Sequence, residues 1–335
     1  MSTLTELREI TFAQAVNEAL HEEMERDEKI ILLGEDVAAA GGVWKLTEGL
    51  LDRFGADRVL DSPISEAGIA GVGVGAAMTG MRPIVEIMFG DFLTLVMDQL
   101  VNQAAKMYYM SGGRYKVPLV IRTTLGAGRR LAAQHSQSLQ AWFAHIPGLK
   151  VVLPSTPYDA KGLLKTAIRD DNPVIFFEDK LMYQKKGRVP PASDPYTIPF
   201  GRADVKREGS DVTVVATSSM VYVALEAAET LAEEQISVEV IDPRTLTPLD
   251  QEGMVSSVTK TSRCLVIDEG YERFGVTAEI AAVISHRAFY ALEAPVERIG
   301  AMNVPIPFSP ILEDQTIPNV DRVVRAVRRL VKGNG

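Results

Sequence analysis

One cysteine, Cys264, occurs in 335 residues. A lone thiol excludes an internal disulfide and any multi-cysteine zinc site. It suits a reducing compartment, a cytoplasm or an organelle matrix. No apolar run approaches the ~18–20 residues of a membrane span, so no membrane association is expected. The stretch Met1–Glu9 carries charges and lacks an apolar core, which argues against a secretory signal. Histidine is also scarce. His21, His135, His145 and His286 never stand at His-x-x-x-His spacing, so a transition-metal site is not expected. Basic residues are outnumbered, 35 against 44 acidic, giving a net charge of −9. That balance excludes a nucleic-acid footprint and leaves room for basic protein partners. A Walker loop, a Gly-x-Ser-x-Gly elbow and a deaminase signature are all missing.

What is present is an alternation of short β-branched runs with helical patterns. Strands are expected at Lys29–Leu33, Arg82–Met88, Val117–Arg122, Lys150–Leu153, Val174–Glu178, Asp211–Ala216, Ser237–Ile241, Cys264–Asp268 and Val296–Ile299. Helices are expected near Phe12–Arg26, Glu66–Gly80, Phe92–Met110, Tyr158–Arg169, Tyr222–Glu234, Thr277–Tyr290 and Val320–Val331. This rhythm predicts an α/β protein with mainly parallel sheets. The length predicts two domains. Four prolines between Gln184 and Gly201 mark a linker. The expected division is residues 1–185, a linker 186–200, and residues 201–335, each domain doubly wound.

The segment Pro63–Gly80 carries one charge, Glu66, ahead of a glycine-rich apolar stretch. Ser62 or Ser65 can cap it, and Pro63 suits a first helical position. Gly68, Gly71 and Gly75 fall on one face, with Gly73 and Gly80 nearly opposite. Each helical glycine costs roughly 0.5–1 kcal/mol against alanine. Close backbone approach on both sides would offset that, so a helix buried all round is expected. Glu66 either complements the helix dipole or points at chemistry.

A second segment, Gly126–Ser138, follows a strand. Its Gly126 and Gly128 make a turn or, with Arg129 and Arg130, hold a phosphate or carboxylate. His135 lies there among Gln134, Ser136 and Gln137. A histidine in such a polar loop titrates near neutrality and can move protons. His145, among aromatics before a turn, reads as a packing residue. Asp98, Asn102 and Lys106 form a polar ladder, read as a solvated face or a subunit contact.

The spacing Glu66-x4-Gly71-Val72-x-x-Gly75 resembles the motif of pyrimidine-binding domains in thiamine diphosphate enzymes. With it run Leu33-Gly34-Glu35-Asp36, Met81-Arg82-Pro83-Ile84-Val85-Glu86, Ala133-Gln134-His135-Ser136-Gln137 and Ile241-Asp242-Pro243-Arg244-Thr245-Leu246. From about Ile10 to Val331 the chain resembles the beta subunit of the thiamine-diphosphate-dependent component of 2-oxo acid dehydrogenases. Pyruvate and acetoin dehydrogenases fit better than branched-chain enzymes. The resemblance implies a thiamine-diphosphate-binding fold followed by a transketolase C-terminal-like domain.

It also implies roles. Glu66 would bond the aminopyrimidine and drive its imino tautomer. Ile64 and Phe92 would lie beside the cofactor, Phe92 being otherwise ordinary core. His135 would face the cofactor and help pass the acyl group to a lipoyl arm. Leu119, Ala167, Asp170 and Asn172 would hold a structural K⁺. Gly-Asp-Gly followed some thirty residues later by Asn, the family's Mg²⁺-diphosphate pattern, is missing here. An alpha subunit would therefore supply those ligands, in a heterotetramer of two alpha and two beta chains. The carboxyl-terminal domain would contact the dihydrolipoyl acyltransferase core. A self-sufficient transketolase and a non-catalytic assembly subunit are the rival readings.

Overall fold

The computed structural model describes residues 7–332; the charged stretch 1–6 and residues 333–335 lie outside it. The chain forms two compact units. Residues up to Leu125 join Trp142–Phe200 in the first, and Gly126–Ala141 joins the residues from Gly201 onward in the second. The loop holding His135, expected with the first domain, thus belongs to the second unit.

Six parallel strands build the first unit's sheet. Their order is Lys150–Val152, Val174–Asp179, Val120–Leu125, Arg82–Ile87, Ile30–Gly34 and Val59–Asp61. Val120–Leu125 and Val174–Asp179 are buried at every residue, as expected of parallel strands covered on both faces. Helix Phe12–Arg26 opens on a capping box. Thr11 Oγ1 accepts from the Gln14 amide at 3.1 Å, and Gln14 Oε1 accepts from the Thr11 amide at 2.9 Å. It packs on Pro157–Arg169. Buried Lys161 and Lys165 there pair with Glu18 and Glu22 at 2.6–3.0 Å.

The proline-rich stretch is not a free linker. Lys186–Val189 pairs antiparallel with Arg8–Thr11. Ile198 is buried against Gly162, where a Cβ would stand 2.6 Å from its Cγ1. Tyr196 stacks on Tyr158 at 4.5 Å. One glycine on the helix makes room for the strap.

The expected helix Phe92–Met110 is broken into three. A 3₁₀ turn spans Gly90–Val96, a π-helical stretch Asp98–Ala104 and an α-helix Ala105–Met110. The tight first part follows from Phe89, held at φ 69°, and from Gly90, whose Cβ would stand 2.4 Å from the Thr124 carbonyl. The backbone is pinned to the neighbouring strand before it can wind as an α-helix.

The second unit holds five strands in the order Glu297–Ala301, Cys264–Tyr271, Val212–Ala216, Val238–Asp242 and Asp204–Arg207. The first four are parallel and the last is antiparallel. Val214, Val240, Leu265 and Ile267 face helices Met220–Ala232 and Val320–Lys332. Val215, Ile241, Cys264 and Val266 face Gln251–Thr261 and Val276–Arg287. Both units are therefore doubly wound, the fold class expected. No helix among the described residues is long and apolar enough to cross a membrane.

The glycine helix runs Glu66–Met78, and it is not buried all round. Glu66, Ile69, Ala70, Gly73, Val74 and Ala77 face inward. Gly68, Gly71, Val72 and Gly75 are exposed. Nor do the expected caps form: Ser65 is the N-cap without a side-chain bond, and Pro63 precedes the helix. Gly73 is dictated by packing, since a Cβ there would lie 2.6 Å from Val85 Cγ2 and 3.2 Å from Leu119 Cδ1. Gly71 and Gly75 meet nothing within 4 Å. Gly73→Ala should therefore cost the chain about 1–3 kcal/mol through overpacking. Gly75→Ala should be neutral or stabilising by up to about 1 kcal/mol through helix propensity. Denaturant titration of the isolated chain checks the pair; equal destabilisation would refute this account.

Candidate active site

The first unit places its candidate side chains where parallel strands end, the usual ligand side of such sheets. Glu35 follows Ile30–Gly34, and Glu66 follows Val59–Asp61 after a short turn. Between Arg82–Ile87 and the broken helix, Phe89 and Phe92 pack edge to face at 6.4 Å. The 3₁₀ turn that carries Phe92 packs on the glycine helix. Phe89 also lies under Lys180 Nζ, 5.5 Å from its ring centre.

Glu66 is the central acid. It is 8% exposed, sits in the first helical turn and gains from the helix dipole. Its carboxylate oxygens are not among the buried polar atoms left without a partner, so they keep contact with solvent and are open to a ligand. Glu35 is its neighbour. Burial pushes the Glu35 carboxyl up, and the charges of Glu66 and Asp36 push it further. Ile64, ahead of the helix, is 81% exposed. Phe92 is half-buried.

Below this layer lies a buried ion cluster that the sequence reading missed. Arg122 Nε and Nη2 donate to the two carboxylate oxygens of Glu178 at 2.8 and 3.0 Å, and Nη1 donates to Glu86 at 2.8 Å. The Tyr183 hydroxyl donates to Glu178 at 3.0 Å. Burial alone would lower the Arg122 pKa, but the two carboxylates outweigh it and hold it up. Burial raises the Glu86 carboxyl, with Arg122 opposing. One signal was available: Glu86, Arg122 and Glu178 each directly follow an apolar run, and the charges are of complementary sign.

His135 is half-buried, and the neighbouring Ser136 hydroxyl is buried with no hydrogen-bond partner among the described residues. As His135 belongs to the second unit, it is described apart from Glu66. Arg130 does hold carboxylates, those of Glu313 and Asp314, each at 2.7 Å. His145, expected to pack, is exposed. Asn102 donates to Asp98 at 2.7 Å, while Lys106 leaves the ladder for the Pro147 carbonyl at 2.8 Å.

The four residues expected to cradle K⁺ already make hydrogen bonds within the chain. The Asp170 carbonyl accepts from Arg82 at 2.6 Å, and its carboxylate accepts from Lys150 and Asn172. Leu119 and Ala167 carbonyls accept the Val174 and Asp170 amides at 2.9 and 3.2 Å. No cluster of three or more His, Cys, Asp or Glu suited to a metal occurs among the described residues.

The Glu35–Glu66 pairing is testable in the chain alone. Glu66→Gln removes a like charge, so the Glu35 carboxyl should titrate at lower pH, while burial keeps it above the ordinary range. A raised carboxyl binds its proton more tightly folded than unfolded, so its contribution to stability declines as pH climbs through the folded pKa. The variant should soften that decline. Carboxyl NMR titration reads the shift, and an unmoved Glu35 would refute the coupling.

Comparison with known proteins bears on this geometry. Residues 8–186 match the family "Transketolase, pyrimidine binding domain", and residues 201–323 match "Transketolase, C-terminal domain". The chain is 51% identical to the acetoin:2,6-dichlorophenolindophenol oxidoreductase subunit beta of Bacillus subtilis, covering 97% of this chain and 98% of that protein. It is 48% identical to the pyruvate dehydrogenase E1 component subunit beta of Rickettsia felis, over 96% and 98%. It is 46% identical to the 2-oxoisovalerate dehydrogenase subunit beta of Bacillus subtilis, over 96% and 99%. A solved structure titled "Split gene transketolase, inactive beta4 tetramer" matches with a TM-score of 0.78 at 25% identity, covering 96% of this chain and 98% of that one. Two domain matches and full-length similarity thus meet in one conclusion: the chain belongs to the transketolase-like family, in its branch of dehydrogenase beta subunits.

Proposed function

We propose that this chain is the beta subunit of a thiamine-diphosphate-dependent dehydrogenase component. That component cleaves pyruvate or acetoin and passes the acyl group to the lipoyl arm of a dihydrolipoyl acyltransferase. The observation that carries the reading is Glu66: a largely buried acid at a helix amino end, with its carboxylate oxygens open to a ligand. A ring nitrogen of an aminopyrimidine is a group such a carboxylate can hold. When bound, thiamine diphosphate supplies the electron sink for cleavage beside a carbonyl.

Each residue of this chain then has a task. Glu66 holds a proton at the ring nitrogen and fixes the ring's orientation. Ile64 and Phe92 exclude water from the ring. Glu35, whose carboxyl is raised by burial and by the charges of Glu66 and Asp36, is the acid beside Glu66. His135 holds or gives a proton at the reacting acyl oxygen during transfer. The diphosphate and Mg²⁺ fall to an alpha subunit, since this chain lacks the Gly-Asp-Gly pattern for them. A structural K⁺ would be held by Leu119, Ala167, Asp170 and Asn172, with Arg82 and Lys150 already bonded to Asp170.

Partners follow from the same features. The exposed face of Gly71, Val72 and Gly75 suits a closely packed second chain in a tetramer of two alpha and two beta subunits. A net charge of −9 suits a basic segment of the acyltransferase core. The buried Cys264 thiol, pushed up by burial, suits a cytoplasm or an organelle matrix. One second reading has a specific observation behind it. The 46% identity to a 2-oxoisovalerate dehydrogenase beta subunit keeps branched 2-oxo acids as an alternative substrate class.

The test is reconstitution with an alpha chain, thiamine diphosphate and Mg²⁺, assayed with pyruvate, acetoin and a branched 2-oxo acid. Glu66→Gln should cut kcat by about 10²–10⁴-fold in an intact tetramer. A rate near wild type would sink the assignment. On the glycine face, Gly75→Leu should leave the isolated chain folded and abolish assembly, as read by sedimentation velocity. A tetramer that still forms would remove that face from the interface.

A further inference from the structure

In an open α/β sheet the carboxyl ends of the strands usually receive a ligand. In the second unit that place receives the chain's own loop, Gly126–Ala141. Asp268 and Glu269 lie near the end of Cys264–Tyr271, and Thr217 directly follows Val212–Ala216. Gln140 Nε2 donates to both Asp268 oxygens at 2.9 and 3.1 Å, where Thr217 and the Gly270 amide also donate. The Ala127 amide donates to Glu269 at 2.6 Å. The Gly128 amide donates to Glu313 Oε1 at 2.6 Å, and Arg130 Nη1 to Glu313 Oε2 at 2.7 Å. Arg130 reaches on to Asp314 at 2.7 and 3.1 Å.

Two further features single this loop out. Asp268, Glu269 and Glu313 are all buried, at 2%, 5% and 0% exposure. Each buried charge has a loop group among its partners, as burial of a charge requires. The loop is also strained. Arg130 and Ala132 sit at φ 59° and 58°, in the left-handed region that non-glycine residues avoid. Such strain persists where the surroundings over-determine the backbone. The anchors fall on both sides of His135: Ala127, Gly128 and Arg130 before it, Gln140 after it.

We propose that the second unit is a clamp for the His135 loop, with Glu313, Glu269 and Asp268 as positioning residues that fix where His135 stands. Its sheet spends the usual ligand position on the chain's own backbone. This inference rests on the proposed role of His135 in acyl transfer, and the experiment separates the two.

In the reconstituted tetramer, Glu313→Ala removes two anchors at once. Glu313→Gln keeps an acceptor for the Gly128 amide but turns the other oxygen into an NH₂ donor facing Arg130, so it loses one anchor and the charge. Arg130→Met, at a partly exposed site, is the variant least able to unfold the unit. Amide exchange over residues 127–140 should quicken about tenfold or more in Glu313→Ala and Arg130→Met. Exchange in Val212–Ala216 should not change. In the same variants kcat should fall about tenfold to a hundredfold with KM for the 2-oxo acid within about twofold. Glu313→Gln should recover part of the rate, through the retained Gly128 anchor. Unchanged exchange in the loop overturns the clamp. Faster exchange with full kcat overturns its positioning role. Full activity of His135→Ala overturns the reading of His135 instead, and the exchange data still decide whether the acids hold the loop.

Discussion

One buried guanidinium organises the first unit. Arg122 lies on the strand Val120–Leu125, flanked by the strands that carry Glu86 and Glu178, and it bonds to both. Replacing such a cluster by well-packed apolar side chains is often neutral or stabilising, whereas removing one partner costs about 3–5 kcal/mol. Its value is therefore in registration more than in net stability. An apolar strand can slip against its neighbours, but a strand with one charge facing two complementary ones has a single allowed register.

That register reaches the candidate site within a few residues. Glu86 precedes Phe89 and Gly90 on the same strand and turn. Gly90 lies so close to the Thr124 carbonyl that only a residue without a Cβ is admitted. Thr124 is two residues beyond Arg122, and Lys180, stacked over Phe89, is two beyond Glu178. If the central strands shifted, Gly90 would lose its seat and Phe92 would turn away from the glycine helix. On the opposite side of Arg82–Ile87, Val85 lies against Gly73. The same strand thus fixes both the aromatic turn and the helix that presents Glu66.

Much of this was legible from residue order. Phe12–Arg26 has the expected bounds, because its capping box and apolar spacing agree. Val120–Leu125 runs further than the expected Val117–Arg122, because a charge ends an apolar run on paper and does not end a strand whose charge is paired. Gln251–Thr261 escaped notice although Asp250 caps it through the Gly253 amide at 2.9 Å. Met254, Val258 and Thr261 carry its apolar spacing, so that helix could have been read. Glu66 was legible because it is the one charge before a long apolar stretch. The acids that hold the His135 loop were not, since Glu269 and Glu313 stand 142 and 185 residues from the amides they accept. No local pattern links such distant positions. The break at Gly90 was hidden for the same reason, being set by the neighbouring strand.

The remaining question is why the helix that looked fully buried exposes three of its four glycines. Gly73 is explained inside the chain by Val85 and Leu119. Gly71 and Gly75 are not, for a Cβ at either would meet open space. Helical glycine is costly on its own terms, and an exposed apolar face with Val72 at 60% and Ile64 at 81% is costly again. Glu66 lies on the inward face of the same helix, roughly opposite those glycines. The deficit of the exposed face is one of packing, and a second chain docked there would relieve the cost of both its glycines and its apolar side chains, which is why the proposed function places a partner on that face and leaves Glu66 on the other.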